Sequence, residues 1–103
     1  MGIAMDDNLT HGQRVKASII AVGLCLWREG VSNVTARQIG KAVGLTHSAV
    51  LYHFDSADAM RSAIADEAVR RGDRHVVPQL IASRHPAIEG MAAADRQRYL
   101  ADC

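Results

Sequence analysis

Aromatic residues are scarce in this sequence: Trp27, Tyr52, Phe54 and Tyr99 are the whole set. A core built here must rest on aliphatic side chains and alanine, which favours helices in close contact. Cysteine is nearly absent as well. Cys25 falls in an apolar stretch and Cys103 stands at the far end, so no disulfide framework is expected and the chain reads as cytoplasmic. No segment approaches the ~18 apolar residues of a membrane span, and Met1 to Thr10 carries Asp6 and Asp7 with no signal-like apolar run. Period-two alternation is missing throughout, which excludes strands. Finally, carboxylates are missing from one long stretch: between Gly30 and Phe54 there is no Asp or Glu, although the chain has 11 of them.

What is present is helical periodicity. Val15, Ile19, Val22 and Leu26 form one stripe of a first helix over about Thr10 to Glu29, with Ile20, Leu24 and Trp27 beside it and Gly30 as its stop. Thr35 and Gln38 make a capping box for a second helix, flanked by the staple pair Val34 and Ile39, and Gly44 ends it. Thr46 caps a third helix, with Leu45 and Val50 as its staple, running to about His53. A longer fourth helix starts at Asp55 or Ser56, turns Met60, Ile64 and Ala68 to one side, and stops at Gly72. Pro78 and Pro86 each suit a first helical turn, so a short helix over Val77 to Ser83 and a last one within Ala87 to Ala101 are expected. The fold class is all-α: a three-helix, homeodomain-like helix-turn-helix unit, then a longer helix and a short helical tail. We divide the chain into a tail over 1–12, a helix-turn-helix domain with helix four over 13–74, and a helical dimerisation segment over 75–103.

The two short helices around Gly44-Leu45-Thr46 have the spacing of a helix-turn-helix, with Ile39, Val43, Leu45 and Val50 placed to pack them together. Left outward on the third helix are His47, Ser48, Ala49 and Tyr52, small enough at the N-terminal end to enter a major groove. Spacing alone leaves DNA binding open, since such helix pairs occur in many helical proteins. The acid-free stretch, which holds Arg37, Lys41, His47 and His53, is what a phosphate backbone requires.

Taken together, Ile19 to Trp27, Gly30, Thr35, Ile39, Gly44-Leu45-Thr46 and Tyr52-His53-Phe54 resemble the DNA-binding domain of the TetR family, with Ser56 and Met60 continuing the likeness. The resemblance covers about residues 13–62. It implies phosphate contacts by Thr35, Tyr52 and His53, and base contacts by Arg37, His47, Ser48 and Ala49. Gln38 and Thr46 complete the candidate DNA-binding set. The chemistry agrees: Arg37 can pair with guanine in two hydrogen bonds, and Ala49 can touch a thymine methyl. For Thr35 a role as cap alone stays open, as does a buried, satisfied His53, and Lys41 reads as solvated. The chain departs from the family at Leu51, where an aromatic is usual two residues before the His, and at Ala57, where a Lys is usual. The large ligand domain that follows in the family is also missing. Some thirty residues after helix four are too few to enclose a pocket of roughly several hundred Å3.

The expected function is a sequence-specific transcriptional regulator, read as a repressor that binds a palindromic operator on double-stranded DNA as a homodimer. The dimer would form through the apolar clusters Val76, Val77, Leu80, Ile81 and Ile88, Met91, Tyr99, Leu100, which exceed what so short a tail hides against its own monomer. The alternative is that the tail folds back over helices one and four as a lid. No enzyme activity, cofactor, metal, membrane or small-molecule ligand is expected. His11, His47, His53, His75 and His85 lack metal-ligand spacing, and no catalytic motif occurs. Arg70, Arg71 and Arg74 beside Asp66, Glu67 and Asp73 read as a salt-laced exposed face. Two rivals stay open: a protein-interaction adaptor or antirepressor that keeps the fold without DNA binding, and a low-specificity DNA-packaging protein.

Overall fold

The computed structural model describes residues 10–31 and 33–101, and the expected N-terminal tail (bar its last residues) and Cys103 lie outside them. Among the described residues the chain forms six α-helices and one short 3-10 helix, with no strand. They are α1 (His11–Arg28), α2 (Ala36–Val43), α3 (His47–Leu51), α4 (Ala57–Arg71), α5 (Val77–Ala82), the 3-10 turn Pro86–Ile88, and α6 (Ala93–Ala101). The all-α expectation holds, and each of the first four helices begins one residue after a hydroxyl cap. Thr10, Thr35, Thr46 and Ser56 accept from the backbone N–H three residues on, satisfying a donor that a helix start otherwise leaves orphaned. Gly44 and Gly72 end α2 and α4 in the left-handed region, at φ 78° and 66°, where a side chain would be strained.

The core lies between α1, α2, α3 and α4. Ile19, Leu24, Val34, Ile39, Val50, Met60 and Ile64 are fully buried there. α1 crosses α4 closely because Gly23 presents no side chain: a Cβ on it would come within 2.4 Å of Ile64 Cδ1. Arg61 on α4 donates to the carbonyl of Val34 at 3.2 Å, fastening the entry to α2.

The tail corrects two expectations. Val76 and Val77 are completely buried, Leu80 is 1% exposed and Ile88 6%. These residues therefore do not need a partner chain to leave water; α5 and the 3-10 turn fold back and extend the core of one monomer. Gln79 accepts from the Trp27 indole N–H at 3.1 Å, so the tail is tied to α1 as well as to α4. The second correction concerns Asp73, which is not part of an exposed face. It is buried, accepts from the Arg28 guanidinium, and accepts from the N–H groups of His75 and Val76 at 2.8 and 3.0 Å. A carboxylate placed there offsets its desolvation with charge-assisted bonds and caps the turn that leads into α5. Glu67 pairs with Arg70 and Arg71 at 2.5 Å each, as expected, although its own side chain is only 17% exposed. Cys25, on α1, faces solvent.

Candidate nucleic-acid interface

The turn between α2 and α3 is built from two glycines with different duties. Gly44 supplies the left-handed residue. Gly40 lets the backbone close on itself: the Leu45 N–H donates to the Gly40 carbonyl at 2.8 Å, and a Cβ on Gly40 would lie 2.4 Å from the Leu45 oxygen. Leu45 is thereby turned inward beside Val50, and α3 is held across α2 with its N-terminal end free.

On this frame Thr35, Arg37, Gln38, Thr46, His47, Ser48 and Tyr52 are all exposed, and Ala49 and His53 are half-buried. The nine candidate residues sit on the N-terminal turns of α2 and on α3 with the turn after it. Thr35 and Gln38 satisfy one another's backbone: the Thr35 hydroxyl accepts from the Gln38 N–H at 3.2 Å, and the Gln38 amide oxygen accepts from the Thr35 N–H at 2.9 Å. Thr46 accepts from the Ala49 N–H at 3.1 Å. These side chains are thus pre-oriented, while the hydroxyl protons and the Gln38 amide nitrogen keep their capacity to donate. Tyr52 is 85% exposed, the largest apolar side chain left in water at this end of the molecule. Its ring stands edge-on to His53, centroids 5.4 Å apart, which fixes the phenol outward from α3. Leu51, in the place where an aromatic was anticipated, is half-buried and packs against the core, so Tyr52 presents the phenol of this segment. Lys41 is exposed, as expected.

One cation next to this surface was not among the sequence candidates. Lys16 of α1 places its ammonium 5.2 Å from the centre of the Phe54 ring, directly behind Tyr52 and His53 in the chain. The sequence carried half of the signal, since α1 has no carboxylate at all between His11 and Arg28; that Lys16 of all α1 residues meets Phe54 is a matter of packing.

No helix among the described residues is long and apolar enough to cross a membrane. No group of three or more His, Cys, Asp or Glu side chains among them converges as metal ligands. The tail borders a cleft of about 660 Å3 between α4 and α6, lined by Val69, Gly72, Arg74, Met91 and Tyr99 among others. A concavity of the size thought beyond so short a tail therefore exists, but as an open cleft and not a closed chamber.

Two short capped helices joined by a tight glycine turn, braced by α1 and α4, with an exposed acid-free outer face, define a helix-turn-helix protein of the DNA-binding class. Residues 19–68 match the family model for bacterial regulatory proteins of the tetR family. The chain carries the N-terminal helix-turn-helix domain of that family and is a DNA-binding transcription regulator. Comparison with curated proteins and with solved structures gives no match.

Proposed function

We propose that this protein is a repressor that occupies a palindromic operator as a homodimer, reading bases from α2 and α3. The observation that carries the reading is the outer face of α3. There His47, Ser48 and Tyr52 are exposed, Arg37 of α2 stands exposed nearby, and no carboxylate occurs from Gly30 to Phe54. In the bound form Arg37, His47, Ser48 and Ala49 face base edges. Thr35, Gln38, Thr46, Tyr52 and His53 hold phosphates, which set register without reading sequence. Repression follows from occupancy: a dimer over the operator excludes polymerase. What favours DNA over the adaptor reading is that exposed Arg37 and Lys41 stand in a stretch with no carboxylate from Gly30 to Phe54.

A dimer is required because one helix-turn-helix unit covers too little surface for tight specific binding, and two units gain affinity by reaching successive major grooves about 34 Å apart. With Val76, Val77 and Leu80 inside the monomer, the surface that supports pairing is α6. None of its residues is buried and Leu100 is 48% exposed. Sedimentation of the intact protein against Leu100→Asp tests it: a dimer at micromolar concentration that the substitution splits is the expected result. A monomeric wild type would remove the homodimer from the reading.

Selection of bound sequences from a random duplex pool tests the function as a whole. Enrichment of an inverted repeat is expected. Retention without enrichment would make the protein a low-specificity packaging factor, and no retention would make it an adaptor.

A further inference from the structure

We propose that Lys16 is a phosphate-contacting residue, so that the DNA surface extends from α3 onto the first helix through the Phe54 ring. The inference rests on the DNA-binding reading above and goes beyond the nine residues assigned there. Three observations converge. Lys16 is exposed, and its ammonium lies 5.2 Å from the centre of the Phe54 ring, which occupies one side of the cation and leaves the other free to donate. Phe54 directly follows Tyr52 and His53, and its N–H donates to the Leu51 carbonyl at 3.0 Å, so the ring is fixed in the turn that ends α3. Lastly, Lys16 meets no carboxylate among the described residues, and Glu29 is the sole acid between Thr10 and Phe54. A lysine on a protein surface normally spends its charge on a neighbouring acid or on water. This one is steadied by an aromatic face two positions from the exposed Tyr52 phenol. Holding the ammonium in place before binding lowers the ordering cost of a phosphate contact, and the charge adds to affinity without adding sequence preference.

The test is the salt dependence of binding to a fluorescent random-sequence duplex of about 30 base pairs, and to an operator once one has been selected. Lys16→Ala is expected to weaken both complexes by the same factor. It should also make the slope of log affinity against log salt shallower by about 0.9 to 1, the signature of one lost phosphate contact. Lys16→Arg should restore the slope. Arg70→Gln removes the same charge from the far end of α4, where Arg70 pairs with Glu67, and should leave the slope unchanged. A Lys16→Ala protein whose affinity falls while its slope stays that of the wild type would show that Lys16 only braces the turn, and would overturn the proposal. So would an equal loss of slope in Arg70→Gln, which would make the effect one of net charge. Wild-type protein that retains no duplex at any salt concentration would instead sink the DNA-binding reading itself, and this inference with it.

Discussion

Arg37 stands one residue inside α2, exposed and without a carboxylate near it in sequence, and its planar fork suits a guanine edge better than a single phosphate oxygen. Replacing it by Ala is expected to cost about 1–3 kcal/mol on the selected operator and to relax preference at one base pair. Equal weakening on operator and random DNA, measured by anisotropy, would reassign it to the backbone. Ionisable groups elsewhere decide a different property at this scale. Hydrogen bonds from Arg70 hold the Glu67 carboxyl down at about 2, against the push of burial and with help from Arg71. At Asp73 burial pushes the carboxyl up, but the Arg28 side chain and the N–H groups of Val76 and His75 together hold it below its ordinary value. Both are depressed in the folded state, so the stability they supply is complete above the carboxyl range of the unfolded chain. It is lost as pH falls through the folded values. For Glu67 that window runs from 4.5 down to about 2. Its size is modest, because Arg70 is 71% and Arg71 43% exposed to screening solvent. Urea midpoints taken across this range should fall less steeply for Glu67→Gln than for the wild type. Parallel curves would place the acid sensitivity at Asp73 instead.

At the scale of elements, the reader depends on how sharply α2 gives way to α3. Of the two glycines in that turn, Gly44 is the one legible from sequence, because it sits just after a capped, periodic segment. Gly40 looks like any helical residue until the fold brings the Leu45 carbonyl to within 2.4 Å of where its Cβ would be. The contact is with backbone, which cannot rotate away. Gly40→Ala is therefore expected to destabilise the protein by about 1–3 kcal/mol, the range for forced overpacking, and to weaken duplex binding by tilting α3. An unchanged thermal midpoint and unchanged affinity would mean that the turn has room the structure does not show. The exposure of the candidate residues was largely readable from sequence, since they fall in two short segments around one turn: the caps Thr35 and Thr46 and the outward positions His47, Ser48 and Tyr52 follow from local rules. Lys16 was not, because its partner Phe54 lies 38 positions away (54 minus 16) and across the bundle.

For the whole molecule, the decisive feature is that the tail completes the core of its own monomer. The apolar residues there were expected to exceed what the monomer could hide, but the tail folds back as a lid and Val76, Val77 and Leu80 are covered within one chain. Leu80→Ala should accordingly cost about 2–5 kcal/mol, as for other fully buried leucines, and should lower the thermal midpoint of a monomer as much as that of a dimer. A loss that disappears when protein concentration is raised would show that Leu80 is buried between subunits and not within one. The same packing would make a chain ended at Gly72 a poor probe of pairing, since it loses Gln79, which accepts from the Trp27 indole N–H, and the buried Val76, Val77 and Leu80. Leu100, outside the core, is the position that separates association from folding.

Local physics alone settled the number of the first four helices, their capped starts and the glycine stops at Gly44 and Gly72. The third helix, however, ends at Leu51 and not at about His53 as expected. A hydroxyl three residues before an unpaired N–H, or a glycine free to take a positive φ, acts within one turn of chain. Tertiary structure decided everything that depends on distant residues meeting. Asp73 was assigned to solvent because its neighbours in sequence are charged, and it is buried because Arg28, 45 positions away, comes to meet it. Trp27 finds Gln79 across 52 positions and so determines where the tail lies. Periodicity states that a face must be covered. Which surface covers it, another copy or the chain's own helices, depends on the shape of the assembled bundle, and that shape exists only once the helices have packed.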